Sequence, residues 1–494
     1  MIDSTQKFVR CLLLATVSAV LSLVMLPDCM LVISLLLSLV GAIYGSAILL
    51  NMPGSRGNFF LVAAETIVLG SSLGLLFSYV SMAYASYDIW LAVIDYTYTT
   101  ATDLALAQAY TNLFALALFL IGVRLQQWGW PDRIQENVAY CLREKKATVI
   151  AFVILILVCQ AYLVGAGVVV YGGRAITTEG EPTHPLLALL LPIAPVVPFV
   201  LAHYGHRAYK TGRFTQLLLC VLLLFIDLFW FFLFGRRTTI FFFIVLFTGF
   251  FFGHQLSVAY LLKHAVLILF IGYAALQAAD TYHKVRIAYS FQEAQRMNLA
   301  EVFSGLSAVD TEKYQKLRNM NMAARASYSS MALGQFVNLF RTTKHEPLRG
   351  QVLLSSVLLA TPGDLLVDKK TIPAKEVLYE RTYSVGLTDI SETLYLESFI
   401  DFGWLGFLLY PAFLFGLLGL IYYAAYRAEQ PLFSLLVVCV SVSLALAMVE
   451  TDMITFLATV RMLVVGCGLA LVFGRRMKPE QVPGRANPAL TVSP

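Results

Sequence analysis

The sequence predicts an all-α polytopic integral membrane protein with about 12 transmembrane helices and one large outer loop of amphipathic helices. Composition is the first reason: 59% of the residues are hydrophobic, 13% are charged and the mean hydropathy is +0.75. A soluble domain is about half apolar and about a quarter charged. The second reason is a series of apolar runs about 20 residues long, which is the length that crosses a bilayer core. The third is a hydrophilic segment, residues 280–398, which interrupts these runs near the C-terminus.

The apolar runs predict individual transmembrane helices. Residues 8–27 are interpreted as a first span and not as a signal peptide, because no small-residue cleavage site follows them. Prolines 192, 195 and 198 predict a kinked or broken span at 185–206, and the tight join at 235–237 predicts a hairpin. The predicted spans are residues 8–27, 29–50, 59–86, 104–125, 147–171, 185–206, 214–234, 238–254, 259–279, 402–424, 432–449 and 454–473.

The distribution of basic residues predicts the orientation. With both termini cytoplasmic, the cytoplasmic segments hold 17 Lys and Arg residues, and the short outer loops hold only Arg174, Arg236 and Arg237. Cytoplasmic loops of membrane proteins are enriched in Lys and Arg, so this orientation is favoured. The predicted organisation follows. Residues 1–279 carry spans one to nine, 280–398 form a large outer loop domain, 399–474 carry spans ten to twelve, and 475–494 form a cytoplasmic tail.

The outer loop is predicted to be folded. The stretches "ASYSSMALGQFVNLFRTTKH" and "LRGQVLLSSVLLATPGDLLV" place apolar residues at helical spacing, which predicts amphipathic helices over the membrane face. The loop has no counterpart in the first half of the chain. This lack of internal symmetry argues against a transporter built from inverted repeats.

The stretch "GRRTT" (residues 235–239) is the clearest candidate for an anion site. Arg236 and Arg237 lie at a predicted outer turn, where arginines are not needed to set orientation. Guanidinium groups bind phosphate oxygens in a bidentate manner, and Thr238 and Thr239 begin the next helix, whose N-terminus also favours an anion. The pattern predicts a diphosphate clamp. The alternative is a plain hairpin whose arginines reach lipid headgroups.

Arg461, Asp227 and Glu65 lie well inside predicted spans, where charge is costly and is often functional. Arg461 is two turns from the outer end of the last span, and it is either a second anion ligand or part of a structural ion pair. Asp227 is a candidate partner for Arg461 or for the clamp. Glu65, nearer the cytoplasmic side, is predicted to tie helices together.

Both ends of the outer loop carry candidate catalytic residues. A general base must reach a hydroxyl proton while cations hold a diphosphate leaving group. The alternative for each residue is a solvated loop stem with paired charges. The candidate bases are Asp280, His283, Asp389, Glu392 and Glu397, and the loop arginines beside them are Arg286 and Arg381.

The sequence has no Walker A motif, GxSxG elbow, HExxH motif or dinucleotide fingerprint, and no spacing that predicts a metal. No cofactor and no nucleic-acid partner is therefore expected.

The chain resembles bacterial O-antigen and exopolysaccharide repeat-unit polymerases (Wzy-like) in four features. These are a dozen spans, "GRRTT" at the outer start of a span, one large outer loop, and the stretch "ETLYLESFIDFGWLGFLLYPAFLFGLLGL" (392–420). The fold of that family is similar to O-antigen ligases and to the lipid-dependent C-type glycosyltransferases.

The resemblance implies a multi-pass enzyme of the bacterial inner membrane that joins undecaprenyl-diphosphate-linked oligosaccharides on the periplasmic side. Arg236 and Arg237 would then hold the diphosphate, with Arg381 and Arg286 near the second lipid carrier. The family's second basic loop, with its arginine and glycine spacing, is not evident here, so the identity of the base stays open. The alternatives are a ligase-type transferase and a flippase or other transporter of lipid-linked oligosaccharides. Whether a chain-length regulator protein is a partner is also left open.

Overall fold

The computed structural model describes residues 2–51, 54–84, 99–170, 173–174, 184–254, 258–288, 329–343, 345–361, 368–384, 393–428, 430–449 and 451–473. These residues are almost entirely helical. The described residues also include one antiparallel pair of two-residue strands, β1 (Val169–Val170) and β2 (Gly173–Arg174).

The helices before the long insertion are α1 (Ile2–Leu21), α2 (Pro27–Asn51), α3 (Phe59–Tyr84), α4 (Ala101–Gln127), α5 (Trp130–Glu144), α6 (Lys146–Gly165), α7 (Pro185–Ile193), α8 (Val196–Lys210), α9 (Phe214–Phe234), α10 (Arg236–Phe250), α11 (Val258–Lys263) and α12 (Ala265–Ala288). The helices from the insertion onward are α13 (residues 329–342), α14 (Gln351–Ala360), α15 (Lys375–Tyr383), α16 (Leu394–Phe402), α17 (Gly406–Ala428), α18 (Pro431–Ala447) and α19 (Met453–Phe473). Short 3-10 turns occur at Ser55–Gly57, Lys369–Thr371 and Gly403–Leu405.

The described residues have the character of a polytopic membrane protein. Nine helical segments among them are long and apolar enough to cross a bilayer. The segments of three other predicted spans form shorter apolar helices, at Thr238–Phe250, Pro431–Ala447 and Met453–Gly468. Large apolar side chains are widely exposed, for example Val266 at 83% and Phe225 at 66%. A lipid-facing surface explains such exposure, because hydrocarbon does not penalise it.

Two local predictions are confirmed. The 185–206 segment is broken into α7 and α8, with Pro195 at the start of α8 and Pro192 near the end of α7. Proline removes a helical N–H and clashes with the preceding turn, so a break is expected there. The hairpin between the eighth and seventh predicted spans is also present, since Gly235 alone separates α9 from α10.

The described contacts divide the chain into two compact units. The first unit comprises Met1–Arg124, His283–Leu417 and Leu444–Arg461. The second unit comprises Leu125–Tyr282, Leu418–Ser443 and Met462–Pro494.

Part of the long insertion belongs to the core of the first unit. Helices are present at both stretches whose apolar spacing predicts them, as α13 and α14. Met331 of α13 is buried in a cluster with residues of α1 to α4. The buried members of this cluster are Ala19, Leu31, Leu35, Leu75, Leu104, Ala105, Ala109 and Met331. Gly334 lets α13 approach closely, because a Cβ there would lie 3.0 Å from side-chain atoms of Leu104 and Thr99. The insertion is thus packed onto the beginning of α4.

The chain returns from the insertion through a helical hairpin, α16 and α17, where the sequence predicts a single span from residue 402. Gly403 has φ 56° and breaks the helix between them. A Cβ on Gly406 would lie 2.1 Å from the carbonyl oxygen of Ser398, so the two helices touch backbone to backbone. Aromatic rings place α16 antiparallel to α4: Tyr395 lies 6.4 Å from Phe114, and Phe399 lies 4.9 Å from Tyr110.

Candidate active site

The turn between α9 and α10 is the predicted anion site. Gly235 has φ 130° and ψ 178°, a conformation that is essentially restricted to glycine. Gly235 precedes α10 and has no side chain, and the described residues provide no side-chain cap for this helix. The first amides of an uncapped helix point outward as donors, and the helix dipole favours an anion beside them. This backbone arrangement suits a phosphate group. The side chains of Arg236 and Arg237 lie outside the described part of the structure.

The two threonines of "GRRTT" have a different role from the predicted one. The Thr238 hydroxyl donates to the carbonyl oxygens of Phe231 (2.7 Å) and Gly235 (2.8 Å). The Thr239 hydroxyl donates to Gly235 at 2.8 Å and is fully buried. Both hydroxyl protons are therefore used to close the turn. The prediction that they add donors to an anion clamp is wrong, because the carbonyl oxygens of Phe231 and Gly235 are their acceptors.

The end of α12 lies against this turn. Tyr282 is 7% exposed, its ring meets Phe232 edge-on at 5.7 Å, and a Cβ on Gly235 would lie 3.5 Å from its hydroxyl oxygen. His283 follows Tyr282 directly in the chain, and Asp280 precedes it by two residues in the same helix. Asp280 is half-buried. The side chains of His283 and Arg286 are outside the described residues. The turn, Asp280 and Tyr282 thus lie in the second unit, and Tyr282 approaches the turn.

The predicted intramembrane carboxylates pair with neutral groups. The Gln160 side-chain amide of α6 donates to Asp227 at 3.0 Å, and Asp227 is fully buried. In the first unit, the Ser46 hydroxyl of α2 donates to Glu65 of α3 at 2.6 Å. Glu65 therefore ties two helices together, as the sequence predicts. The partnership predicted for Asp227 with Arg461 or the clamp stays a prediction.

A buried charge network holds Glu397, one of the candidate bases. Glu397 is 1% exposed, and its Oε1 accepts from the Lys375 ammonium at 2.9 Å. Its Oε2 accepts from the backbone N–H of Met453 at 2.8 Å. Lys375 also donates to Asp452 at 2.6 Å. Three separate stretches of chain converge here, and one ammonium faces two carboxylates.

Helix N-termini offset the remaining negative charge of this network. Glu397 lies in the first turn of α16, which Thr393 caps, and Asp452 caps α19 by accepting from Thr455 N at 2.8 Å. The positive end of each helix dipole stabilises a carboxylate. Burial alone would raise the pKa of Asp452, but the Lys375 ammonium and the hydrogen bonds hold that pKa below its ordinary value. The Lys375–Asp452 pair is therefore charged, and the network joins three separate stretches of chain.

The network around Glu397 lies about three helical turns from the N-terminus of α4. Asp103, at the start of α4, and Phe114, which contacts the first turn of α16, are eleven residues apart, or about 17 Å along a helix.

Sequence reasoning missed Lys375 and Asp452. Their signals are weak: Lys375 lies in an ordinary hydrophilic stretch, and Asp452 with Thr455 follows only a common capping pattern.

Two further carboxylates fix the insertion. Asp401 accepts from the backbone N–H groups of Val352 (2.9 Å) and Leu353 (2.8 Å) and from the Tyr410 hydroxyl (2.8 Å), so it caps α14 from a distance. Glu397 and Asp401 lie four residues apart on α16. They do not act as a carboxylate pair, because each accepts hydrogen bonds from different partners.

Asp103 anchors α13 through side chains of that helix. It is fully buried and accepts from Asn338 at 2.8 Å and from Arg341 at 3.0 and 3.1 Å. The Thr100 backbone and hydroxyl also donate to it, at 2.9 and 2.6 Å. A carboxylate with this many donors is a strong anchor, because bonds to a charged acceptor are about twice as strong as neutral ones. α13 is thereby held at the start of α4.

The remaining candidates are not gathered into one site by the described residues. Arg461 of α19 is half-buried and donates to the carbonyl of Ala360 at the end of α14, while its Nε has no hydrogen-bond partner in the described part of the chain. Arg381 is exposed in the last turn of α15. Asp389 and Glu392 lie outside the described residues.

Comparison of the chain with protein-family models, with curated proteins and with solved structures finds no match.

Proposed function

We propose that the protein is a polysaccharide polymerase, a membrane glycosyltransferase that joins undecaprenyl-diphosphate-linked oligosaccharide repeat units on the periplasmic face of the bacterial inner membrane. One observation carries the proposal. Gly235, directly before the first turn of α10 with Arg236 and Arg237, lies against Tyr282 in the last third of α12. A helix N-terminus that suits a phosphate group therefore adjoins the helix that carries Asp280.

The proposed reaction uses these two segments in complementary ways. The first-turn amides of α10 and the two guanidinium groups bind the diphosphate of the donor. An acceptor hydroxyl attacks the sugar carbon that carries this diphosphate, the carbon–oxygen bond to the diphosphate breaks, and undecaprenyl diphosphate leaves. The hydroxyl proton passes to Asp280 or His283 of α12. Cations at the leaving group lower the barrier because negative charge develops there.

The buried network around Glu397 supports a positioning role for that residue. Both of its carboxylate oxygens already accept hydrogen bonds, and it is 1% exposed. In the proposal, Glu397 and Lys375 hold α15 and α16 at the start of α19, while Arg461 and Arg381 remain candidate ligands for the lipid carriers.

The test compares arginine variants in cells. Arg236→Ala and Arg237→Ala should each abolish polymer without changing the amount of protein in the membrane. Arg213→Ala is the matched control, since Arg213 is an exposed arginine at the opposite end of α9 and should leave polymer unchanged. A gel of surface polysaccharide and an extraction of lipid-linked intermediates provide the readouts. Normal polymer length in the Arg237 variant would overturn the clamp.

Deletion of the gene separates the alternative functions. Single repeat units that accumulate on the outer leaflet support a polymerase. Single units on the inner leaflet support a flippase, and full-length polymer that stays on its lipid carrier supports a ligase.

A further inference from the structure

A cavity of about 470 Å³ lies in the second unit, among α5, α8 and the turn that follows α10. Its lining is strongly basic. Arg143, Arg207 and Lys210 are basic side chains of the lining, and Glu136 is its acidic residue. Arg143 also pairs with the exposed Glu144 at 2.8 Å. The excess of positive charge makes the cavity suitable for an anion, and its volume is that of an ordinary small-molecule site.

Histidines form the inner wall of this cavity. His203 and His206 lie on α8, with Arg207 and Lys210 at the helical spacing that puts them on one face. His206 is 4% exposed, and neither ring nitrogen has a hydrogen-bond partner among the described residues. Its ring meets Phe250 edge-on at 4.1 Å. Burying an imidazole without partners costs free energy, so a ligand that supplies a partner would be bound favourably.

His254, the third histidine of the lining, orients Lys210. The Lys210 ammonium donates to His254 Nε2 at 2.8 Å, so the protonated Nδ1 donates to the carbonyl of Phe252 at 3.1 Å. This pattern requires a neutral His254 ring. An ammonium has three donors, so Lys210 retains two others that can bind an oxyanion.

We propose that this cavity binds a phosphate group, held by Lys210 and Arg207 at its rim and by His206 at its base. A metal ion fits less well, because the described residues contain no group of three or more His, Cys, Asp or Glu side chains that could hold one, and basic side chains line the wall. Basic residues that only set membrane orientation need neither a cavity nor a buried imidazole. The distribution of Lys and Arg predicts that this face is cytoplasmic. The ligand is therefore a soluble phosphorylated molecule of the cytoplasm or the headgroup of an inner-leaflet phospholipid.

The test uses the purified full-length chain in maltoside detergent, with two probes. Inorganic diphosphate is titrated in a calorimeter, and phosphatidylglycerol is added to delipidated protein and followed by native mass spectrometry. His206→Phe removes both ring nitrogens and keeps an aromatic ring against Phe250. This variant should weaken binding by about tenfold, the effect of losing one hydrogen bond to a charged group. The melting temperature without ligand should not fall, since no described hydrogen bond is lost.

Lys210→Gln should weaken binding to a similar extent. The control is Lys145→Gln with Lys146→Gln, which removes two charges from the same predicted face outside the cavity and should change affinity by less than about twofold. Saturable diphosphate binding that depends on His206 and Lys210 supports a soluble ligand. Retention of phosphatidylglycerol that depends on His206 and Lys210 supports a phospholipid headgroup as the ligand. If neither probe binds, or if the control variant weakens binding as much as His206→Phe does, the proposal is overturned.

Discussion

Replacing Lys375 with methionine removes the one cation shared by Glu397 and Asp452. Methionine has nearly the length and volume of the lysine stem, so the packing of α15 is retained and the change is chiefly electrostatic. Glu397, which is 1% exposed in the wild type, then keeps only the hydrogen bond from Met453 N among the described residues. Asp452 retains Thr455 N and a side chain that is 13% exposed.

The expected cost follows from this geometry. Removing one partner of a buried ion pair costs about 3–5 kcal/mol, because the remaining charge is neither solvated nor neutralised. The side chains of Lys375 and Glu397 are 4% and 1% exposed, so little water reaches either of them. We expect a loss of about 3 kcal/mol or more, which corresponds to a melting temperature lower by about 5 °C or more.

The assay is thermal unfolding of the purified chain in detergent, with Lys369→Met as the matched control. Lys369 is a half-buried lysine six positions earlier, and its ammonium donates to the carbonyl of Thr361 at 2.7 Å. Its replacement should cost only about 1 kcal/mol, since no carboxylate loses its partner.

A double variant tests the physical cause. Glu397→Gln added to Lys375→Met removes the unpaired charge but keeps an acceptor for Met453 N. The double variant should therefore be more stable than Lys375→Met alone, although it carries one more substitution. If Lys375→Met melts within a degree of the control, or if the double variant is less stable still, the buried network does not stabilise the fold as argued.

Three further outcomes follow from the described contacts. Gly406→Ala should greatly reduce the yield of folded protein in membranes, because its Cβ would meet the backbone of α16, whereas Gly416→Ala in the same helix has nothing within 4 Å and should be tolerated. Asp103→Asn weakens the anchor of Arg341 and should cost about 2 kcal/mol, seen as faster proteolysis of α13; an unchanged cleavage rate would contradict this. Because the pKa of Asp452 is depressed below its ordinary 3.8 in the folded state, its contribution is present above that pH and is lost as the pH falls through the folded pKa. The difference in melting temperature between wild type and Asp452→Asn should therefore be full at neutral pH and shrink below about pH 4; a difference independent of pH would refute this assignment.

Several features could be predicted because they depend on short stretches of chain. The break at Pro192 and Pro195, the α9–α10 hairpin, and helices at α13 and α14 each follow from local composition and apolar spacing. Glu65 as a tie between helices also follows, since an isolated carboxylate in a span needs a nearby partner. Other local predictions failed where a competing acceptor was close. The hydroxyls of Thr238 and Thr239 are used by the carbonyls of the preceding turn, which no sequence pattern reports.

The amphipathic helix α5, which forms one wall of the basic cavity, was not predicted either. It is only 15 residues long and lies in a segment that reads as a connecting loop between two spans.

The sequence by itself determined that this chain is a helical membrane protein and where most of its helices lie, because hydrophobicity adds up residue by residue along the chain. The pairing of charges, in contrast, depends on how the helices pack. Lys375 meets Glu397 across 22 positions and Asp452 across 77, and the imidazole of His206 is enclosed with the cations of α8 and α5. A buried charge is stable only beside its partner, and the identity of that partner depends on how distant helices pack against one another.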